Sequence, residues 1–361
     1  MKVLPRENRI AMLKRQMREH GIGSLLVTRR EDVFYLSGFS GSAGSLLIAS
    51  GRPCLITDFR YKLQAHQETT GIAITIQKKD HLSALRDAAT RMDVETLWFE
   101  ESALTVEGLK NLKKQGLRLK GCNDVVKTLR QQKDKQEISH IRMAIKRAEQ
   151  AFRELALFIR PGATERELGI KLEYLMRGKG ARKAAFDTIV ASGPNGAMPH
   201  AVATSRRIKK NDLVTFDFGA EANGYYSDMT RTICVGRPSS KQREIHDLVL
   251  NAQSAAIKSI RAGVTCTSVD DAARKVIKKA GHAKHFGHGT GHGIGLMVHE
   301  GPSVSPLSKE RVAKNMVFTV EPGVYIPGWG GVRIEDMVQV TETGVTVLTT
   351  LPKELESLRS V

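Results

Sequence analysis

A chain of 361 residues, 41% hydrophobic and 26% charged, has room for two domains and the ordinary composition of a soluble globular protein. No apolar run approaches the roughly 20 residues needed to span a bilayer, and the basic N-terminus, MKVLPRENRIAMLKRQMREH, lacks the apolar stretch of a secretory signal. The net charge of +18 admits nucleic acid as a partner, but the Lys and Arg clusters are short and dispersed and aromatic residues are only 5%, so a solvated basic surface fits better.

From Met1 to about Asn123 the pattern is α/β. Short apolar runs at Gly23-SLLVT-Arg29, Gly44-SLLIA-Ser50 and Cys54-LIT-Asp58 are bounded by Gly and Pro as buried strands are. Helices are expected at Arg9 to His20 and His81 to Arg91. Near Lys127-TLRQQKDKQE the composition turns charged, marking a linker or the start of a connecting helix. Ile138, Ile141, Ile145, Ala148, Phe152 and Leu155 then line one helical face, which Pro161-Gly162 ends. Thr164 and Glu167 have the capping-box spacing that opens a second helix.

The plan recurs about a hundred residues on. A helix from roughly Gln242 to Arg261 ends at Ala262-Gly263, and Ser268-Val269-Asp270-Asp271 is read as the start of another that ends near Gly281. Each pair is expected to lead into a Gly-containing segment and then strands: Ala191-SGPNGAMPHA in the first copy, Gly287-HGTGHGIG in the second. This reads as an internal duplication with two halves across a shared cleft. Cys54, Cys122, Cys234 and Cys266 form no CxxC pair and are read as reduced thiols of a cytoplasmic protein.

Asn223-Gly224 between Thr215-Phe-Asp217-Phe-Gly219 and Tyr225-Tyr-Ser-Asp228-Met-Thr-Arg231 is a strong hairpin signal. A two-residue loop pairs Ala222 with Tyr225 and Gly219 with Asp228, which makes Asp217 and Asp228 diagonal neighbours on one face. Acids that close repel unless one is protonated or a cation lies between them. Solvated acids on an exposed sheet are the alternative, but the neighbours Val214, Phe216, Phe218, Met229 and Ile233 are apolar, which favours a metal.

His288, His292 and His299 fall within or just after a glycine-rich run that satisfies no GxGxxG register and is followed by no GK[ST]. Any one of them could be a core histidine; together, beside glycines, they favour a site. Glu321 precedes Pro322-Gly323, and Glu335 sits in Gly331-VRIEDMVQV, where alternation puts Arg333 on its face and Val332, Ile334 and Asp336 on the other. Either Glu alone reads equally well as a surface carboxylate. Four carboxylates with one imidazole suit Mn²⁺ or Co²⁺ and can hold Zn²⁺; five ligands fit two ions better than one.

The set FDFG, YYSDMTRT, FGHGTGHGIGLMVHE and TVEPGVYIPGWGGVRIED, with Tyr35-LSGFSGSAGSL and Thr57-DFRYKLQA upstream, closely resembles the proline-specific pita-bread metallopeptidases, aminopeptidase P and Xaa-Pro dipeptidase (prolidase). The resemblance implies an α+β chain: a creatinase-like α/β domain at 1–126, then a pita-bread catalytic domain at 127–361 with an internal pseudo-duplication. It implies that Asp217 chelates one ion, that His292 and Glu321 bind the other, and that Asp228 and Glu335 bridge them, with a hydroxide between. Mn²⁺ comes first as the metal, Co²⁺ or Zn²⁺ after it. Glu321 would shuttle the proton, and His200 and His299 would bind substrate and steady the oxyanion. His288 would line the substrate site, and Arg333 would orient Glu335 or the substrate. The implied reaction is hydrolysis between an N-terminal residue and proline, by a cytoplasmic homodimer. Methionine aminopeptidase shares the ligand set but lacks a large N-terminal domain. A creatinase-like amidinohydrolase lacks the ligands, and an inactive binding module would have lost some of them. Where dipeptide-restricted relatives carry an Arg after the HExP segment, this chain has Ser303, so both peptidase readings stand.

Overall fold

The Gly- and Pro-bounded apolar runs become the sheet of the first of two compact units, Met1–Arg130 and Gln131–Val361, in a computed structural model that describes residues 6–356. The first unit runs α1 (Arg6–Glu19), β1 (Leu25–Val27), α2 (Arg30–Ser37), β2 (Gly44–Ile48), β3 (Cys54–Thr57), α3 (Lys62–Glu68), β4 (Ala73–Ile76), α4 (His81–Arg91), β5 (Thr96–Glu100), α5 (Val106–Lys113), β6 (Arg118–Cys122) and α6 (Val125–Gln131). Its six strands lie in the order β4-β3-β2-β1-β5-β6. The β1–β2 and β2–β3 pairs are antiparallel and the outer pairs parallel. Leu26, Leu47, Ile56 and Leu97 pack under Ala84, Leu85 and Ala88 of α4, which Asp80 caps by accepting from the Ser83 N–H.

The second unit contains two helix pairs, each feeding strands. The first half is α7 (Lys135–Leu155), α8 (Glu165–Gly178), β7 (Ile189–Ser192), β8 (Leu213–Phe218), β9 (Glu221–Ala222), β10 (Tyr225–Tyr226) and β11 (Met229–Cys234). The second is α9 (Ser240–Ser259), α10 (Cys266–Lys279), β12 (Gly291–Gly293), β13 (Glu300–Val304), β14 (Val317–Val320), β15 (Gly323–Ile326), β16 (Gly330–Arg333), β17 (Asp336–Val340) and β18 (Val345–Val347). Capping boxes open α7 (Asp134 with Glu137), α8 (Thr164 with Glu167) and α9 (Ser239 with Gln242). The start of α10 differs from the sequence reading. Thr265 is its N-cap, accepting from the Ser268 N–H, so Ser268 and Asp270 are already helical. In the first half the strand β7 also precedes the Gly-containing 3₁₀ turn Gly193–Ala197 instead of following it.

The duplication is visible bond by bond. Gly162 N–H donates to the Ile208 carbonyl at 2.9 Å, and Gly263 N–H to Val312 at 2.8 Å. Arg207 reaches back to the Gly162 carbonyl as Arg311 does to Gly263, both at 2.8 Å. Asn211 and Asn315 both turn at φ +66° and donate to Val235 and Val340. The three strands β7, β8 and β11 thus correspond to β12, β14 and β17, each set antiparallel with β8 or β14 central. Asp217 falls six residues after Asn211, and Glu321 six after Asn315. The duplication therefore sets one carboxylate at the end of each central strand. Phe152 of α7 meets Phe216 edge-to-face and stacks on Phe218, the residues either side of Asp217, with centroids 5.3 and 4.7 Å apart.

Candidate metal centre

The hairpin has the expected register. Tyr225 pairs with Ala222, Met229 with Phe218, and Thr230 with Asp217, around Asn223 and Gly224 at φ 54° and 84°. Positive φ at both turn positions is what Asn-Gly tolerates and most other pairs do not. Asp228 is buried and Asp217 half-buried at one end of the three-stranded sheet.

The second half brings its groups to the same place. Donor atoms of Asp228, His292 and Glu335 lie within 4.8 Å of one another. His292 Nε2 is 3.6 Å from Asp228 Oδ2 and 3.3 Å from Glu321 Oε1. Its Nδ1 lies 3.1 Å from the Gly293 carbonyl, so the proton sits there and leaves the Nε2 lone pair for a cation. Gly291 admits the imidazole strand because a Cβ there would overlap the Thr319 carbonyl. Glu335 does not lie on an unbroken strand, as the alternating pattern implied. The ladder stops at Arg333 and resumes at Asp336, and in between Glu335 N–H donates to Thr230 O at 3.2 Å.

A cation fits these donors. Asp217 Oδ1 and Glu335 Oε1 are buried without a hydrogen-bond partner, and a stripped carboxylate oxygen is costly unless a positive charge takes it up. Burial, then the charges of Glu335, Asp217 and Glu321, push the Asp228 carboxyl well above the usual range. Burial followed by Glu321 and Asp217 does the same to Glu335. Glu321 is raised by burial, against the lowering pull of His288 and Arg333. Burial also lowers His292, keeping the imidazole neutral and able to ligate.

Around this cluster the other expected residues divide. Arg333 meets Asp217 Oδ2 at 2.6 Å and not Glu335; its Nε reaches Thr230 Oγ1 at 3.0 Å, and that hydroxyl donates to Glu335 Oε2 at 2.7 Å. Arg333 Nη1 donates to Tyr325 Oη at 2.9 Å, and Tyr325 donates to His288 Nε2 at 2.9 Å, since His288 Nδ1 is bonded to Gly289 O. His299 packs against His292 with the rings tilted by 54° and centroids 4.3 Å apart, and desolvation, then His292, lowers it. His200 is exposed, beside Pro199, whose carbonyl accepts from Arg333.

Sequence reasoning missed Tyr325, Thr230 and Gln253. Gln253 Nε2 of α9 lies between the carbonyls of Val320 and Ile334, at 3.1 and 3.2 Å, each just before an acid of the cluster. Buried Arg231 also clasps the Glu335 carbonyl and Asp336 Oδ1. Only Tyr325, in Glu321-Pro-Gly-Val-Tyr325, had a signal in its neighbourhood.

A model of metallopeptidase family M24 matches residues 139–342, and one of the creatinase/prolidase N-terminal domain matches 9–132. An Xaa-Pro dipeptidase of Pyrococcus furiosus is 39% identical over 97% of this chain and 99% of its own length. Among solved structures, an Xaa-Pro dipeptidase from Bacillus anthracis is similar with a TM-score of 0.95 at 40% identity, covering 97% of this chain and 99% of the other. An X-Pro aminopeptidase from Thermotoga maritima MSB8 gives 0.89 at 40% identity, covering 95% and 99%. With both models matched in order and relatives of this identity aligned end to end, the chain belongs to metallopeptidase family M24.

Proposed function

We propose that the chain removes an N-terminal residue that precedes proline, using two divalent cations held by Asp217, Asp228, His292, Glu321 and Glu335. Membership in M24 implies divalent metal, and the oxygen-rich donor set favours Mn²⁺, with Co²⁺ or Zn²⁺ as alternatives. Bound there, the ions would supply Lewis acidity and a water acidified to near neutrality. The chain's own groups supply the rest. Glu321, its carboxyl raised by burial, is suited to hold and pass a proton beside His292. His299 and His200 lie on the exposed side, where a peptide enters, and would orient its carbonyl. Burial, with a smaller contribution from the Arg333 charge, keeps His288 neutral, and the Tyr325 hydroxyl that Arg333 holds donates to it, so that His288 lines the substrate site without charge.

The observation that carries this reading is the pair of orphaned, buried carboxylate oxygens within a cluster that also presents a free imidazole nitrogen. Proline at the second position fits the similarity to Xaa-Pro dipeptidases and an X-Pro aminopeptidase. A cytoplasmic homodimer accords with the resemblance, and no helix among the described residues is long and apolar enough to cross a membrane.

The test compares an Xaa-Pro dipeptide, an Xaa-Pro-Yaa tripeptide and a Met-Ala peptide with added Mn²⁺, Co²⁺ or Zn²⁺. Cleavage of one or both proline substrates, strongest with Mn²⁺, is expected. Preference for Met-Ala would overturn the proline reading in favour of a methionine-removing enzyme, and no cleavage with any metal would leave an inactive binding module.

A further inference from the structure

Two buried carboxylates outside the cluster sit on the second helix of each pair, and each grips a different segment that leads to the site. Glu165, the first residue of α8, is fully buried. Its Oε1 accepts from Ser192 N–H (2.7 Å), Ser192 Oγ (2.7 Å) and Asn195 Nδ2 (3.0 Å). Its Oε2 accepts from Asn195 Nδ2 (3.1 Å), Thr204 N–H (3.0 Å) and Thr204 Oγ1 (2.6 Å). Those donors bracket the segment 192–204, which carries Pro199 and His200. Burial alone would raise this carboxyl, but the Thr204 and Ser192 donors outweigh it and hold it below the usual range.

Asp270 of α10 is likewise fully buried. Its Oδ1 accepts from Thr290 N–H (3.0 Å) and Thr290 Oγ1 (2.8 Å). Both its oxygens take the Arg274 guanidinium, at 2.9 and 2.8 Å. Arg274 in turn donates to the carbonyls of Phe286 (3.0 Å) and His288 (2.9 Å). Alternate residues 286, 288 and 290 are thus clamped to one helix. From Thr290 the clamp passes directly to the metal side: its carbonyl accepts the Glu321 N–H at 2.8 Å, and His292 follows two residues on.

We propose that Glu165 and Asp270 are positioning residues with divided duties: Glu165 sets the peptide-side segment 192–204, and the Asp270–Arg274 clamp sets the metal-side segment 286–292. The division rests on the proline-peptidase reading only for its substrate arm; the metal arm stands without it. Each carboxylate meets only donors, so the isosteric amide is a sharp probe. Glu165→Gln or Asp270→Asn turns one acceptor into an NH₂ facing N–H and O–H groups.

The experiment titrates Mn²⁺ into the metal-free full chain by calorimetry and measures kcat and KM at saturating Mn²⁺ on the Xaa-Pro peptide that the wild type cleaves. It uses Glu165→Gln and Asp270→Asn, with Thr204→Val and Thr290→Val as milder partners that each lose the hydroxyl bond to the carboxylate and keep the backbone N–H bond; Thr204→Val also removes the acceptor of Arg206 N–H and Asn195 Nδ2. Asp270→Asn is expected to weaken Mn²⁺ binding about tenfold or more, the usual effect of losing a group that orients ligands. Thr290→Val should shift it the same way by less. Glu165→Gln and Thr204→Val should leave Mn²⁺ affinity at the wild-type value while kcat/KM falls. Equal losses of Mn²⁺ affinity on both sides, or wild-type affinity in both Asp270→Asn and Thr290→Val, would overturn the division. A wild type that cleaves no Xaa-Pro peptide would instead count against the peptidase reading.

Discussion

Asp228 and Glu335 illustrate how burial sets charge at the level of single residues. A carboxyl raised above its ordinary value favours the folded state most below that ordinary value, and the contribution is lost as pH rises through the raised value. Both groups are raised, so the metal-free cluster opposes folding increasingly toward alkaline pH, and cations reverse this by replacing protons. Asp228→Asn should therefore raise the melting temperature of the metal-free chain at pH 8 more than at pH 6. It should also abolish the stabilisation that Mn²⁺ gives the wild type; thermal unfolding at both pH values, with and without Mn²⁺, checks this. The Tyr325 hydroxyl joins Arg333 to His288, and Tyr325→Phe leaves both without that partner. A loss of about tenfold in kcat/KM is expected, consistent with roughly 1–3 kcal/mol for a stranded buried group, with Mn²⁺ affinity unchanged by calorimetry. The candidate ligands were legible because acids beside glycine and proline in apolar strands are anomalous. Thr230 and Gln253 were not: a threonine in a strand and a glutamine on a helix reveal nothing until their distant partners are known.

Among elements, those with local chemical punctuation were the legible ones. Asn223-Gly224 specified a register that carried through to Thr230 opposite Asp217, and Thr164 and Glu167 specified the start of α8. The interruption between β16 and β17 was not legible, because it is imposed from outside: Ile334 N–H turns to Pro322 O and Glu335 N–H to Thr230 O. In the first unit, Glu100 at the end of β5 accepts the Val126 N–H at 2.8 Å, while its Oε2 is buried without a partner. Burial, then the charge of Asp32, pushes its carboxyl up to about 7. Folding therefore loses stability as pH rises from the ordinary Glu range through about 7, by roughly 3 kcal/mol at most on the linkage relation. Glu100→Gln keeps the acceptor for Val126 and removes the titration. Its stability relative to the wild type should rise between pH 5 and 8 in denaturant unfolding; a constant difference would show that Glu100 does not titrate in this range.

For the whole molecule, the duplication determines where chemistry can occur. Asp217 lies one residue before the end of central strand β8 and Glu321 one residue past the end of β14, and the hairpin after the first and the broken strand after the second deliver Asp228 and Glu335 to the same cluster. The repeat was readable from the recurrence of helix pairs ended by Pro161-Gly162 and Ala262-Gly263, although the cap of α10 was placed on Ser268 and lies at Thr265. The net charge of +18 has no counterpart in this site, which is acidic. Anomalous diffraction from crystals of the chain grown with Mn²⁺ tests the two-cation site most directly. Two manganese peaks per chain, about 3.5–4 Å apart as in other paired-metal hydrolases, should lie among Asp217, Asp228, His292, Glu321 and Glu335. A single peak, or peaks away from those side chains, would contradict it.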